Sequence, residues 1–389
     1  MEPITLFDDP AVSDNLLPLT LTRPVARLRC GITTIAAKWR ALTNASIFYI
    51  TRDYLTVKYE AADSGFFIAG HVFPTDDLLE SILRLGEGDA IVSGDSLIAF
   101  RGTRSDMEAR RFNSVTGLDS RPDGLYNLWD IFMKNGEKIT EDFSRLTGHV
   151  KSQPLSDSCT LIGPADRLFI AEGASVEGAI INTKGGPVYI GRDAEVMEGS
   201  CLRGPIALCD NAHINMGTKV YGDTTIGPWC KVGGELNNVV MIGYSNKAHD
   251  GFLGNAVIGE WCNLGAGCVA SNLKNDYTEI KLWNYPAHRF LKTGLQFCGL
   301  IMGDHSKAGI NTMFNTATVV GVGVNIHGSG FPRTFIPSFS EGSTAGFTDV
   351  SMTKFLAIAR RVMGRRHVEL TEADESIYRA ILEFAENYK

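Results

Sequence analysis

The sequence predicts a parallel β-helix that follows a small α/β domain and ends in helices. Three observations lead to this fold class. Branched aliphatic residues recur every six positions through the middle of the chain, the first part mixes strand-like and helix-like segments, and apolar residues take helical spacing after Ser340. Neither an α-helix nor a single strand produces a period of six, whereas the coils of a β-helix do.

The period of six begins at Ile190 and returns in a second phase near Met302. We expect each repeated residue to point inward and to stack on its counterpart one coil away. Three hexads per coil give about eight coils and a prism about 40 Å long. The repeated residues are Ile190, Val196, Leu202, Leu208, Ile214, Val220, Ile226 and Val232, and then Met302, Ala308, Phe314, Val320 and Ile326.

These patterns divide the chain into three predicted parts. They are an α/β domain over residues 1–152, the β-helix over residues 153–345 and C-terminal helices over residues 346–389, which cover the end of the prism. Thr371, which acidic residues follow, is the predicted start of the last helix. The hexads break over residues 272–299, which we expect to form an insertion loop on one face. Two interpretations of its aromatic residues stay open, packing on a neighbouring subunit or on their own prism. These residues are Tyr277, Trp283 and Tyr285.

The N-terminal domain shows the mixed composition of an α/β layer. Residues 45–55 have the character of a strand, residues 75–85 that of a helix, and residues 89–100 that of two strands about a Gly-Asp turn. Asp95 in that turn has a second interpretation as a metal-holding carboxylate. A hairpin turn is the simpler account, because Gly-Asp between two apolar runs is a common hairpin connection.

Composition and charge exclude several classes of protein. The net charge is −7 and no Lys/Arg block is present, which argues against a nucleic-acid partner. The cysteines form no CxxC pair, so we expect reduced core thiols. The N-terminus lacks the apolar core of a signal peptide, and no apolar run reaches the length of a membrane span. We therefore expect a cytoplasmic protein that has no membrane partner.

One segment, Gly243 to Asp276, carries the residues with the clearest chemistry. Its distinctive positions are His249, Leu253-Gly254-Asn255-Ala256, Ile258-Gly259, Asn263, Gly265-Ala266-Gly267-Cys268 and Asn272. In this spacing it resembles, without a gap, the acetyltransferase half of the bifunctional glucosamine-1-phosphate acetyltransferase / N-acetylglucosamine-1-phosphate uridyltransferase family. The resemblance implies a left-handed β-helix with hexapeptide repeats, acetyl-CoA as co-substrate, and a homotrimer whose active site lies between neighbouring prisms.

The resemblance also implies roles for single residues. A sugar amine that attacks a thioester must lose a proton, and a histidine exchanges protons near neutral pH, so His249 is the predicted general base. The backbone N–H of Ala266 is the predicted donor to the thioester oxygen. Asn263 is predicted to hold the sugar and Asn272 the acetyl or pantetheine end of the coenzyme. Gly328 joins Ala266 and Asn272 as a predicted coenzyme-binding residue.

Two basic residues that the family uses to hold the sugar phosphate are absent. The positions that correspond to them lie near Asn215 and Asn237, which are neutral. Charge-assisted hydrogen bonds to phosphate are strong, so their loss is significant. We take Asn237, Lys247 and Lys281 as further substrate-binding candidates. Lys274 is another possible source of the missing charge.

A weaker resemblance lies near the N-terminus. Residues 15–40 resemble the stretch that follows the phosphate-binding loop of sugar-1-phosphate nucleotidyltransferases. Such a loop needs glycines, so that backbone N–H groups can approach the phosphate, but residues 3–14 contain none and Val25 replaces a lysine. We expect a degenerate domain that requires Mg²⁺ only if it is an active nucleotidyltransferase. Three arginines can be interpreted as phosphate ligands or as ion-pair partners, namely Arg23, Arg27 and Arg29.

The leading functional prediction is an acetyl-CoA-dependent N-acetyltransferase for an amino-sugar phosphate such as glucosamine-1-phosphate, in nucleotide-sugar supply. One alternative is a bifunctional enzyme that also transfers nucleotides. The other is a trimer that binds sugar nucleotides without catalysis. A zinc site between subunits is disfavoured, because His213 and His249 lie two coils apart without a third nearby histidine.

Overall fold

The computed structural model describes residues 2–389, and the chain divides into two compact units. One unit comprises the chain through Leu28 together with Thr33–Leu128. The other comprises Arg29–Ile32 and Trp129–Lys389 and contains the entire β-helix. No helix among residues 2–389 is long and apolar enough to cross a membrane.

The first unit is an α/β domain built on one six-stranded sheet, as the sequence predicts. Its strands are β1 Ile4–Phe7, β2 Ile47–Ile50, β3 Ser64–Ala69, β4 Asp89–Ser93, β5 Ser96–Thr103 and β6 Ser114–Gly117. They lie in the order β2-β1-β3-β5-β4-β6, with β1 parallel to both of its neighbours. Its helices are α1 Pro10–Asn15, α2 Ile35–Thr43, α3 Asp76–Leu83 and α4 Arg104–Glu108.

Local chemistry accounts for the elements of this unit. Thr34 and Thr75 begin α2 and α3, and each hydroxyl accepts a hydrogen bond from a first-turn N–H. Trp39 of α2 is fully buried, and its indole nitrogen donates to the carbonyl of Val72 at 3.0 Å. The predicted hairpin is confirmed, because β4 and β5 pair antiparallel across a turn that contains Asp95.

The second unit is a parallel left-handed β-solenoid of about 10 turns. The strands of its thirteen-stranded sheet are β7 Thr160–Ile162, β8 Leu168–Ile170, β10 Ile180–Asn182, β11 Val188–Ile190, β13 Cys201–Arg203, β14 Ile206–Leu208, β16 Lys219–Val220, β17 Thr224–Ile226, β19 Glu235–Gly243, β21 Phe252–Glu260, β26 Ile301–Met302, β29 Val319–Val320 and β31 Phe335–Ile336. Those of its ten-stranded sheet are β9 Ser175–Val176, β12 Glu195–Val196, β15 His213–Ile214, β18 Lys231–Val232, β20 Asn246–Lys247, β22 Asn263–Leu264, β27 Lys307–Ala308, β30 Asn325–Ile326, β32 Ser340–Ser343 and β33 Gly346–Asp349. Two smaller pairs are β23 Val269–Ala270 with β28 Met313–Phe314, and β24 Lys281–Asn284 with β25 Arg289–Lys292.

The turn count exceeds the eight coils expected from the sequence, and the coils vary in length about three hexads. Val232 and Lys247, for example, are register partners in adjacent coils although fewer than eighteen residues separate them. The hexad residues point inward as predicted, and Ile190, Val196 and Ile214 are essentially inaccessible to solvent. Each such aliphatic side chain contributes about 1.5–3 kcal/mol by leaving water, so the stacked interior holds the coils together.

One edge of the prism, before the ten-stranded sheet, is lined by aromatic rings. Tyr244, Trp261 and His305 occupy it with left-handed φ values of 54°, 61° and 59°. The rings of Tyr244 and Trp261 stack at 4.2 Å and 16°, and His305 lies 6.1 Å beyond Trp261. We call these three residues the aromatic corner. A left-handed conformation is costly for such residues, so the β-ladders on both sides hold the corner in place.

The insertion over residues 272–299 forms the hairpin of β24 and β25. Trp283 stacks on Phe335 of the prism at 4.1 Å, and Tyr285 contacts both Phe335 and Tyr388. These two aromatic residues therefore pack on their own chain. Tyr277, in contrast, is 65% exposed.

Four helices complete the second unit, namely α5 Asp130–Met133, α6 Asn135–Thr147, α7 Met352–Gly364 and α8 Glu372–Ala385. The predicted helix start at Thr371 is confirmed by a capping box with Asp374. Phe355 of α7 contacts Phe339 near the last coils, as expected for a cover. Past the end of α7, however, Arg366 reaches back to Asn246, so this segment also follows the outer face of the ten-stranded sheet.

Helix α6 is fixed to the solenoid by buried polar contacts. The Asn135 side chain donates to the Thr225 hydroxyl at 3.0 Å and accepts from the Gly31 N–H at 2.7 Å. Asp142 accepts from the Ile32 N–H at 2.8 Å. Buried polar groups must be hydrogen-bonded, so these contacts specify how α6 lies on the coils.

Candidate functional site

His249 lies on an exposed turn between β20 and β21, where the chain passes from one face of the prism to the next. Backbone contacts hold this turn on both sides. The Asn215 side chain donates to the Ala248 carbonyl at 2.8 Å, and the Gly267 N–H donates to the Asp250 carbonyl at 3.0 Å. The imidazole therefore projects from a fixed backbone, which is the arrangement a proton-transfer group needs.

Lys247 supports the same turn from the interior of the prism. It takes the inward position between Val232 and Leu264 and is 1% exposed. Its ammonium donates to the carbonyl of Gly233 at 3.0 Å and to the carbonyl of His249 at 2.6 Å. Burial lowers the pKa of Lys247 to about 8. Lys247 is therefore a core residue that fixes the turn. The predicted role of Lys247 in substrate binding does not fit this buried position.

Two glycines make room for the His249 turn in the preceding coil. A Cβ on Gly233 would lie 2.4 Å from the Ala248 carbonyl oxygen, and one on Gly234 would lie 2.5 Å from the Gly251 carbonyl oxygen. No larger residue fits without a backbone shift. The coil therefore closes tightly beneath the histidine, and this closure lets Asn215 reach Ala248 from two coils away.

Asn263 and Ala266 lie in the coil that follows the His249 turn. Asn246 and Asn263 are register partners, so β20 and β22 lie side by side. The turn that contains Ala266 therefore lies in the next coil after the His249 turn. The carbonyl of Ala266 accepts a hydrogen bond from the Asn311 N–H at 2.8 Å. Asn263 is exposed on the outer face of the ten-stranded sheet.

The other predicted residues are distributed over different surfaces. Asn237 is exposed on the thirteen-stranded sheet beside Gly254. Lys281 is exposed on the insertion hairpin, and Gly328 lies in an exposed turn two coils beyond Ala266. The Asn272 amide donates to the Asn255 side chain at 2.8 Å, which ties the start of the insertion to the coils.

A basic pocket on the ten-stranded sheet was not foreseen from the sequence. It has a volume of about 230 Å³ and lies between the strands and the C-terminal end of α7. Its lining includes the predicted sugar ligand Asn263 together with three cationic side chains. We call it the α7 pocket, and its lining includes Tyr244, Asn246, Asn263, Lys307, Arg365 and Arg366. The sequence places Lys307 on an outward hexad position, but nothing in the periodicity shows where the arginines dock.

Two large apolar side chains flank His249 along the same edge of the prism. Met216 is 72% exposed and Ile310 is 70% exposed. Each occupies, in its own coil, the position second after the inward strand residue, as His249 does after Lys247. Each lies two coils from His249, and Gly234 and Ala266 take the equivalent position in the coils between.

The two histidines considered for a zinc site, His213 and His249, take different positions in their coils. The His213 ring contacts the Glu195 carboxylate at 2.7 Å and lies in register with Lys231 and Asn246, not with His249. Among residues 2–389, no group of three His, Cys, Asp or Glu side chains is arranged to hold a metal ion. Asp95 in the hairpin turn accepts a hydrogen bond through its carbonyl from Arg110.

In the first unit, Asp8 occupies the segment where the nucleotidyltransferase resemblance places a phosphate-binding loop. Its carboxylate accepts from the Val25 N–H at 2.9 Å and from the Thr51 hydroxyl at 2.6 Å. Burial raises the pKa of Asp8 to about 6, against the lowering effect of these hydrogen bonds. A buried carboxyl group bonded to its own chain is a poor cradle for phosphate.

The three arginines near the N-terminus, which the sequence offered as phosphate ligands, lie in different environments. Arg23 is buried, whereas Arg27 is exposed. Arg29 belongs to the second unit, where its guanidinium donates to the carbonyls of Ile242 and Ile32. Arg29 is therefore a structural tie between its segment and β19, and it is not free to hold a phosphate.

Comparisons with known proteins confirm the resemblance to bifunctional nucleotidyltransferase/acetyltransferase proteins. Residues 4–151 match the family model described as sugar nucleotidyl transferase. The chain is thus a divergent relative of proteins that combine nucleotidyltransferase and acetyltransferase units.

Three curated relatives show how distant this relationship is. The bifunctional protein GlmU of Trichodesmium erythraeum is 28% identical over 140 residues, which is 36% of this chain and 25% of the relative. The bifunctional sugar-1-phosphate nucleotidylyltransferase/acetyltransferase of Sulfurisphaera tokodaii is 28% identical over 144 residues, covering 36% of this chain and 35% of the relative. The GlmU protein of Corynebacterium jeikeium is 27% identical over 256 residues, covering 52% and 48%. The matched part therefore spans between a quarter and about half of each relative.

Solved structures that match this chain include AntD, an N-acyltransferase from Bacillus cereus in complex with dTDP and 3-hydroxybutyryl-CoA. It is 11% identical and covers 54% of this chain and 91% of its own, with a TM-score of 0.22. A superposition this weak is no guide to the geometry or chemistry of the present site.

Proposed function

We propose that the protein is an acetyl-CoA-dependent N-acetyltransferase that acts on an amino-sugar phosphate, with His249 as its general base. The observation that carries this proposal is the exposed imidazole on a backbone-fixed turn, one coil before the turn of Ala266. Both residues belong to the ungapped segment that resembles the family's acetyltransferase half. The curated relatives, one of which is named as an acetyltransferase, support the proposal at the level of the family.

The proposed step balances with His249 alone as the proton carrier. The amine nitrogen attacks the thioester carbonyl carbon while His249 accepts the proton that the nitrogen loses. The C–S bond then breaks, and the imidazolium returns that proton to the departing sulfur, which leaves coenzyme A as the thiol. The backbone N–H of Ala266 would donate to the carbonyl oxygen, on which negative charge develops.

The coenzyme would lie along the edge of the prism that carries His249. Met216 and Ile310 offer apolar contacts on either side of the histidine, and the exposed turn of Gly328 continues the same edge. An edge with this much exposed apolar surface also suits a neighbouring prism. We therefore propose a cyclic homotrimer in which adjacent protomers enclose the coenzyme.

A second activity has support from one observation. Residues 4–151 match the sugar nucleotidyl transferase model, which favours a nucleotide-binding first unit. The buried, self-bonded carboxyl of Asp8 and the lack of a glycine loop oppose turnover. Incubation with UTP or dTTP, Mg²⁺ and an N-acetylated sugar-1-phosphate tests this point, because an active unit releases pyrophosphate.

The main proposal is tested by measuring thiol release from acetyl-CoA. Glucosamine-1-phosphate and a panel of other amino-sugar phosphates serve as acceptors, and the N-acetylated product is identified by mass spectrometry. We expect acceptor-dependent release with at least one phosphorylated amino sugar. A sugar-nucleotide-binding trimer without catalysis would bind such ligands but release no thiol above the background rate.

A further inference from the structure

The α7 pocket concentrates positive charge in a small space. Lys307 enters from β27, whereas Arg365 and Arg366 follow directly after the last turn of α7. Two elements distant in sequence therefore direct three cationic side chains into one cavity of about 230 Å³. Cations at the C-terminus of a helix are favourable by themselves, but that preference does not account for the lysine on the facing strand.

These charges have no acidic partner. Among residues 2–389, no carboxylate lies within ion-pair distance of Lys307, Arg365 or Arg366. The Glu260 carboxylate influences Tyr244 in the pocket lining. Burial is the main cause that raises the pKa of the Tyr244 hydroxyl, and Glu260 raises it further. Like charges that converge without a counter-ion repel one another, so an anion in the cavity would relieve the repulsion.

The polar atoms of the pocket also lack sufficient partners. The Nε of Arg366 is buried without a hydrogen-bond acceptor, and its Nη2 reaches the Asn246 side chain only at 3.5 Å. Lys307 donates to the carbonyl of His305 at 2.8 Å, and burial lowers the pKa of its ammonium. A buried guanidinium donor without an acceptor is costly, and a tetrahedral oxyanion supplies several acceptors at once.

We propose that the α7 pocket binds a phosphate group. The two guanidinium groups provide the forked donors that suit phosphate oxygens, Lys307 adds a point charge, and the amides of Asn246 and Asn263 complete the donor set. Phosphate binding is independent of the proposed acetyl transfer. Only the source of the phosphate, an amino-sugar phosphate or coenzyme A, rests on the proposed function.

The position of the pocket suits the acceptor sugar. Asn246 lines the pocket and precedes His249 by three residues, so their Cα atoms are at most about 11 Å apart. Asn263, the residue predicted to hold the sugar, lines the same pocket. The pocket would thus supply the phosphate contacts that Asn215 and Asn237 cannot provide, since both are neutral.

Isothermal titration of the full-length protein tests the proposal. The ligands are inorganic phosphate, glucosamine-1-phosphate, unphosphorylated glucosamine and coenzyme A. We expect glucosamine-1-phosphate to bind more tightly than glucosamine, and inorganic phosphate to compete with it. Competition by coenzyme A with a similar loss in the variants below would instead identify the coenzyme as the source of the phosphate.

Matched variants localise the binding. Replacing Arg365 and Arg366 together by glutamine should weaken phosphate binding by roughly tenfold to a hundredfold per lost charge-assisted contact, and Lys307→Gln should also weaken it. Arg361→Gln removes one charge from an exposed position of the same helix and should leave binding unchanged. Circular dichroism confirms that each variant is folded.

Two results would overturn the assignment. One is the absence of phosphate binding by the unmodified protein, and the other is an equal loss in Arg361→Gln and in the Arg365/Arg366 variant. The two proposals also fail separately. Phosphate binding without acetyl transfer contradicts only the proposed function, whereas acetyl transfer without phosphate binding in this pocket contradicts only the pocket assignment.

Discussion

Lys247 provides a sharp test of the structure, because a lysine rarely replaces an aliphatic residue inside a β-helix. It is 1% exposed, lies between Val232 and Leu264, and donates to two backbone carbonyls. Burial lowers its pKa to about 8, from an ordinary value of 10.5. The folded protein therefore releases this proton at a lower pH than the unfolded chain does.

The sign and size of the effect follow from this difference. Between pH 8 and 10.5 the unfolded chain binds more protons at this site than the folded protein, so the free energy of unfolding rises with pH. Below pH 8 the site costs about 3 kcal/mol, because each pKa unit corresponds to about 1.4 kcal/mol. About 2 kcal/mol of that cost is recovered between pH 7 and pH 9.5.

The assay compares urea unfolding of the unmodified protein and of Lys247→Met at pH 7 and pH 9.5, followed by circular dichroism. Methionine keeps the length of the side chain but cannot titrate. The difference in unfolding free energy between the two proteins should shift by about 2 kcal/mol in favour of the unmodified protein at the higher pH. Lys219→Met, on an exposed strand position, serves as the control. Parallel pH dependences of the unmodified protein and Lys247→Met would refute the buried ammonium.

Two further predictions concern the coils near His249 and the cysteines. Gly234→Ala should destabilise the protein and reduce any acetyl transfer, because its Cβ would lie 2.5 Å from the Gly251 carbonyl oxygen. Gly217→Ala has a similar positive φ but no atom within 4 Å of its Cβ, so thermal melts should show a smaller loss; equal losses would contradict the packing argument. In the native protein, a thiol reagent should react rapidly with the exposed Cys201, and Cys201→Ser should abolish that phase; a rapid phase that survives in Cys201→Ser would be inconsistent with the burial pattern.

The regular part of the solenoid was predictable because its determinants are local. A residue such as Ile214 recurs at a fixed period, and burial of its side chain requires only the neighbouring coils. The same reasoning predicted the hairpin around Asp95 and the helix that begins at Thr371. In each case a short stretch of sequence contains both the signal and the interaction that it forms.

The structure differs from the predictions where the hexad repeat is interrupted or where segments distant in sequence meet. Lys247 was predicted to bind the substrate, but in a short coil it takes the inward position opposite Val232. The docking of Arg365 and Arg366 depends on where α7 packs, which no periodic pattern specifies. The α7 pocket was therefore missed, although Lys307 is visible as an outward residue of a hexad.

The measurement that tests the central claim most directly is the rate of acetyl transfer by His249→Ala with the best phosphorylated acceptor. A general base typically contributes 10²–10⁴ to the rate, so we expect a loss of about that size, with His213→Ala as the matched histidine control that retains activity. An unchanged rate in His249→Ala, or an equal loss in His213→Ala, would contradict a mechanism in which the exposed turn histidine accepts the proton of the sugar amine.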